Sequence, residues 1–312
     1  MVPDSGRQRC PVLLVRRRLR DVVMYALSLK LRGLLPAIVG GTVVAGSLLL
    51  CNEADAQSWP TRVHATYKIQ FNGFNIGKFS FLSQADKSGY QATTSAKLRA
   101  FFGVLRWKGT SHAKGKLGRL RPRPAAYSYT YRSKSKRGSL SMKFRGSTIA
   151  SVTSVPPTRP SSKRVPVKPT HLKGVLDPLS AVIALTKAQP ARRGSNPCKR
   201  TLAIFDGWQR FNLVFSYHRQ IRIPASRSGG ASVSAYVCRV RYVPISGYKP
   251  KNKTTRYMAK TTGIEVVLRP VPEAGILVPY KITVPTIIGS ATAVARRIAI
   301  TTSGHRQIAL VH

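Results

Sequence analysis

A chain of 312 residues has room for one large domain or two ordinary ones, and its 43% hydrophobic content can build a core, which excludes wholesale disorder. With 53 Lys+Arg against 9 Asp+Glu, the net charge is +44, so most cations lack an intramolecular carboxylate and must face water or an anionic partner. The chain opens on a basic stretch, Arg16-Arg17-Arg18-Leu19-Arg20 and Lys30-Leu31-Arg32, followed by the uncharged run LLPAIVGGTVVAGSLLL from Leu34 to Leu50. That run ends near Ala54-Asp55-Ala56, a small-x-small site, so residues 1–56 read as a signal peptide cleaved before Gln57. Met24 makes a signal peptide of ordinary length if it is the true start. The alternative is a membrane anchor through residues 34–50, but the run is short and holds Pro36, Gly40, Gly41 and Gly46. Leu50 before Cys51 works against lipidation, and the residues after the paired arginines follow a twin-arginine signal poorly.

From residue 57 on, alternation with period two dominates. Tyr67, Ile69 and Phe71 lead to an Asn72-Gly73 turn, with Phe79 and Phe81 on the return strand. Tyr127, Tyr129 and Tyr131 alternate with small polar residues, as do Leu140, Met142 and Phe144. Residues 155–174, VPPTRPSSKRVPVKPTHLKG, read as a basic Pro/Ser-rich loop. Asp177 then suits a helix N-cap and Pro178 the first helical position, with Leu179, Val182, Ile183 and Leu185 as the apolar face of one short helix near 177–187. In TLAIFDGWQRFNLVFSY, Asp206-Gly207 predicts a tight type I′ turn. Phe211, Leu213, Phe215 and Tyr217 point one way along the following strand. Tyr236, Cys238, Val240 and Tyr242 repeat the pattern, and further strands fit 264–269, 280–284 and 291–300. The reading is mainly β: a single antiparallel β domain over 57–312, curled as an open barrel or spiral, with ten or more strands.

Beyond residue 56 the cysteines are Cys198 and Cys238, an even pair that reads as a disulfide in an exported chain. The acids there are Asp86, Asp177, Asp206, Glu265 and Glu273, of which Asp177 and Asp206 have structural readings. Two-carboxylate hydrolysis is poorly supplied by such a set. His64, His112, His171, His218, His305 and His312 include no i, i+4 pair, and there is no G-x-S-x-G elbow and no P-loop. His218, just past the apolar hairpin strand, reads as solvated. The residues therefore predict no catalytic site, no metal and no cofactor.

The stretches YKIQFNGFNIGKFSF, DPLSAVIAL, CKRTLAIFDGWQRFNLVFSY, VCRVRYVPISGYKP and IEVVLRPVPEAGILVPYKITVPTIIGSA together resemble the exported proteobacterial family catalogued as domain of unknown function 3108 (DUF3108), over roughly residues 65–300. The resemblance implies a periplasmic barrel-like or spiral β fold and no established activity. The architecture is similar to that of disulfide-containing β-spiral envelope-integrity proteins of alphaproteobacteria and, more distantly, to the open barrels of lipoprotein carriers. The expected function is a non-enzymatic role in the cell envelope: aromatics such as Phe211, Phe215 and Tyr217 line a concave face that takes an acyl chain or a partner protein's peptide. Lys and Arg hold an anionic envelope component such as a lipid headgroup, lipid A or the cell wall. A hydrolase acting on cell-wall or glycolipid substrates is the alternative. Export argues against nucleic acid as a physiological partner, and any membrane contact is expected to be peripheral.

Overall fold

The computed structural model describes residues 59–100, 105–118, 121–158, 161–187, 196–229 and 231–312. The expected signal peptide at 1–56, the Met24 start and the alternative anchor at 34–50 lie outside these residues. Alternating apolar residues produce strands β1 (Arg62–Phe71), β2 (Phe74–Ala85), β3 (Tyr90–Ala100), β4 (Leu105–Leu117), β5 (Pro122–Ser133), β6 (Arg137–Arg145) and β7 (Thr148–Val155). After helix α1 (Pro178–Thr186) come β8 (Arg200–Phe205), β9 (Arg210–Ile223) and β10 (Val233–Ser246). Helix α2 (Lys253–Lys260), β11 (Glu265–Val271), β12 (Ile276–Thr286), β13 (Gly289–Thr301) and β14 (Gln307–Val311) complete the described chain. The alternation at 67–71, 79–81, 127–131, 140–144, 211–217 and 236–242 thus lies on strands, as expected. A second helix, α2, stands where a single one was expected.

All described strands belong to one antiparallel sheet, in the order β7-β6-β5-β4-β3-β2-β1-β13-β12-β11-β10-β9-β8. The strands before and after the 155–174 loop are therefore one sheet, joined where β1 pairs along the length of β13. The other edge of β13 is shared: β12 takes residues 289–294 and β14 takes 297–301. The sheet curls but does not close its ladder. Its two free ends are bridged by the segment before α1, in which Lys173 pairs with Thr148 beside β7 and Leu176 pairs in parallel with Ile204 of β8. The basic loop works as a strap rather than a linker, because the Val165 amide donates to the Tyr248 carbonyl at 2.9 Å and the Gly247 amide to the Val165 carbonyl at 2.8 Å.

Helix α1 starts where the sequence indicates. The Asp177 carboxylate accepts from the amides of Leu179 (2.9 Å) and Ser180 (3.0 Å), and Pro178 follows the cap. The helix buries more than one face: Leu179, Ser180, Ala181, Ile183, Leu185 and Thr186 are all buried. It lies inside the curl and touches β3, β4 and β5 on one side and β8 and β12 on the other. The core divides around it. One part fills β2–β7, a second fills β8–β12, a third lies under β1, β13 and β14, and a smaller fourth joins Ile223, Ala235, Val237 and Val267 of β9, β10 and β11.

The β8–β9 connection departs from a two-residue type I′ turn, which needs positive φ at both central residues. Four residues, 206–209, connect the strands, and only Gly207 has positive φ (98°). The Asp206 side chain organises the turn by accepting from the amides of Trp208 (2.8 Å) and Gln209 (2.7 Å). The turn packs between other elements. Trp208 meets Tyr129 edge-on at 6.1 Å, and the backbone at Trp208 lies against Gly247, which has φ 79° and where an added Cβ would collide with the Trp208 carbonyl. The FDG stretch and the I-x-G-Y-K stretch are thus one contact.

This contact yields a stability prediction. Gly247→Ala carries both the positive-φ strain and a collision with backbone, and is expected to cost about 3 kcal/mol. Gly146→Ala, at φ 62° with no atom near the added Cβ, is expected to cost only about 1 kcal/mol. Denaturant unfolding of the two variants checks the difference, and equal losses would remove the role given to the turn contact.

Candidate binding site

The concave residues of the strands at the β1–β13 seam do not reach α1 everywhere. Between them is an apolar cavity of about 140 Å³. Val63, Ala65 and Tyr67 of β1 and Phe79 and Phe81 of β2 form one wall, with Ile276, Val278 and Ile282 of β12 opposite. Val182 and Leu185 of α1 form the roof. The cavity sits where the three larger parts of the core meet. The polar groups of the lining are mostly engaged: the Tyr67 hydroxyl donates to the Pro279 carbonyl at 2.9 Å and the Thr186 hydroxyl to the Ile183 carbonyl at 3.1 Å. Burial pushes the Tyr67 phenol well above its ordinary pKa. Trp59 also lines the cavity, and its buried Nε1 has no hydrogen-bond partner among the described residues. The space is partly open to the surface, and its apolar lining suits an apolar group.

The aromatics singled out in the sequence lie elsewhere. Phe215 is buried in the core of β8–β12, and Phe211 packs on Tyr242 at 5.2 Å in the same core. They fill the core, since α1 and the chain leading into β8 cover that stretch of sheet. Tyr217 shares their side of β9 but is 47% exposed. The ladder of β8 ends at Arg200 opposite Phe215, so among the described residues no strand flanks Tyr217 on that edge. The cavity residues come from segments far apart in sequence, and only the β1–β13 pairing brings them together.

Larger clefts are more open and have mixed polar and apolar linings. One, of about 750 Å³, is lined by Gln84, Tyr90, Gln91, Lys114, Lys116 and Arg123 among others, with Asp86 at its rim. Ser88 and Gly89 donate to the Asp86 carboxylate and lower its pKa, the Ser88 hydroxyl contributing most. Asp177 is buried in the cap and Asp206 is half-buried in the turn described above, and desolvation raises both despite their hydrogen bonds. Glu265 accepts from Arg219 at 3.1 Å and lies 3.6 Å from His218. Among the described residues no group of three or more His, Cys, Asp or Glu could hold a metal ion, and no helix is long and apolar enough to cross a membrane.

Cys198 and Cys238 form a disulfide with a Cα–Cα distance of 5.3 Å, and both are fully buried in the β8–β12 core. These features define a disulfide-pinned, curled antiparallel sheet wrapped around a buried helix, with an apolar cavity beside that helix. The chain belongs to the family described as "Protein of unknown function (DUF3108)", which matches residues 66–296. No curated protein and no solved structure matches it.

Proposed function

We propose that this protein is an exported, non-enzymatic envelope protein that binds an amphiphile, taking the end of its apolar chain into the cavity beside α1 and holding an anionic group through its lysines and arginines. The observation that carries the reading is the cavity itself: an apolar space bounded by Tyr67, Phe79, Phe81, Val182 and Leu185 beside the buried helix. The Trp59 Nε1, without a partner among the described residues, offers a donor to a polar atom near the end of such a chain. The cation excess supports an anionic headgroup over a neutral one. The periplasm is the proposed location, on the strength of the run ending at Ala54-Asp55-Ala56.

The test is native mass spectrometry and lipid extraction of protein purified from the periplasm of an expression host. The wild type is expected to carry an acyl-chain amphiphile, and Ala293→Phe, which fills the cavity from β13, is expected to lose it. Wild-type protein free of any apolar ligand, binding an apolar dye no better than Ala293→Phe, would overturn the reading.

A further inference from the structure

Two hairpin tips meet at one end of the sheet. The Asn72 amide donates to the Ser290 carbonyl at 2.9 Å, and the Ser290 amide donates to the Asn72 side chain at 2.8 Å. This pairing places the β1–β2 turn beside the β12–β13 turn. Both turns carry large apolar side chains that no described residue covers: Phe74 is 77% exposed, Ile287 53% and Ile288 75%. Exposing three such side chains together in water is unfavourable, and contiguous exposed apolar surface marks an interaction site.

Cations surround this tip in an ordered way. On the convex face of the sheet, Lys68 opposes Lys78, Lys78 opposes Lys97, and Lys97 opposes Lys108. Lys108 in turn opposes Arg132, and Arg132 opposes Arg137. The register therefore aligns six cations across β1–β6, at a strand spacing of about 4.8 Å. Like charges directly opposite each other are destabilising, and among the described residues none of the six has an ion pair. On the other side of the tip, α2 presents Lys253, Arg256 and Lys260 on one exposed face while Met258 packs inward. The chain leaving α2 packs beside the β12–β13 turn, where a Cβ on Gly263 would lie 3.2 Å from Pro285.

We infer that this end of the molecule docks on an anionic phospholipid bilayer, with Phe74, Ile287 and Ile288 entering the interface and the Lys68–Arg137 row and α2 binding the headgroups. An apolar tip backed by cations is the arrangement that interfacial binding requires, since apolar burial and attraction to anionic lipid add. Charge complementarity selects the bilayer: the row relieves its own repulsion only against a surface of many negative charges, and an apolar tip has no use on a soluble polyanion. The inference stands independently of cavity binding. It also fits it, because Tyr67, Ile69 and Phe71 lie on one side of β1 and run from the cavity wall to the tip.

The experiment is sedimentation with vesicles of phosphatidylglycerol and phosphatidylethanolamine, against vesicles of phosphatidylcholine alone. The wild type is expected to bind the anionic vesicles selectively. The triple variant Phe74→Ser, Ile287→Ser, Ile288→Ser, in the same full chain, is expected to bind about tenfold more weakly or worse, since three apolar side chains no longer enter the interface. Its residual binding should vanish as the Debye length falls from about 10 Å to about 3 Å, where the wild type retains part of its own. Ile288→Trp provides a local readout, with a blue shift of emission on anionic vesicles. Ala293→Phe should dock like the wild type, which separates failure of this inference from failure of cavity binding. Wild-type affinity in the triple variant, or no shift in Ile288→Trp, would overturn the inference. Equal binding of wild type and triple variant to polyphosphate and to vesicles would replace the bilayer with a soluble polyanion.

Discussion

Cys238→Ser is expected to lower stability by about 4 kcal/mol relative to the oxidised protein, the chain-entropy value for bridging cysteines that far apart. The residues are 40 apart in sequence. The position of the bridge shows what it does in the folded state. β8 and β10 are not neighbours; β9 lies between them. Two strands so placed are about 9.6 Å apart, twice the strand spacing, yet the Cys198 and Cys238 Cα atoms are 5.3 Å apart. The chain before β8 must therefore leave the sheet and cross over its concave face, where it covers the core containing Phe215, Val240 and Leu268. Losing the bridge frees this crossing as well as the unfolded chain. Arg200, just beyond it, donates to the carbonyls of Ala184 (3.0 Å) and Leu185 (3.1 Å) at the end of α1, so the crossing also holds the helix. The measurement is denaturant unfolding of Cys238→Ser and of wild type with and without reductant. Coincident curves for all samples would show that the bridge contributes nothing.

Where alternation is strong, the sequence is transparent. Phe211 to Tyr217 and Tyr236 to Tyr242 pair as β9 and β10 because large inward residues alternate with Arg, Asn and Ser. β3 and β4 are harder to read for a physical reason. Their inward residues include Ala92, Thr94, Ser111 and Ala113, which are small because α1 lies against them. Apolar alternation is therefore weak where the interior is already filled by a helix. α2 escapes a hydrophobic pattern because Met258 is its main packed side chain, although Asn252 accepts from the Thr255 amide as an N-cap at 2.9 Å. The cavity and the tip depend on the β1–β13 seam, which brings together segments far apart in the sequence. No local signal specifies that pairing. The cation excess was legible as a count, but only register turns Lys68, Lys78, Lys97, Lys108, Arg132 and Arg137 into a row.

The Asp177→Ala variant is expected to lose about 4 kcal/mol, through loss of an N-cap and through stranding buried donors. Asp177 is fully buried. Besides the amides of Leu179 and Ser180, it accepts from the Ser180 hydroxyl. Ser180 Oγ in turn lies 2.5 Å from the Tyr90 hydroxyl of β3. Burial raises the Tyr90 phenol far above its usual range, so Tyr90 stays protonated and donates to Ser180, which donates to Asp177. The cap thus ties the helix to the wall of the sheet, and removing its acceptor leaves both hydroxyls in a dry site. Asp177→Asn keeps a side-chain acceptor for the helix amides and is expected to cost much less. The pH dependence distinguishes the two roles of the carboxylate. Desolvation raises the folded-state pKa of Asp177 above its ordinary value of 3.8 despite the hydrogen bonds that lower it. The folded state therefore holds this proton more tightly than the unfolded chain does. The contribution of Asp177 is fully present below the ordinary carboxylate range and is lost as pH rises through the raised value. Asp206 acts in the same direction, and Asp86, exposed and lowered, acts in the opposite one. Thermal unfolding of wild type should show stability declining as pH climbs out of the carboxylate range. Asp177→Asn should flatten that decline, leaving the part due to Asp206. A variant whose pH profile is parallel to that of wild type would show that Asp177 has an ordinary pKa in the folded protein and acts only as a cap.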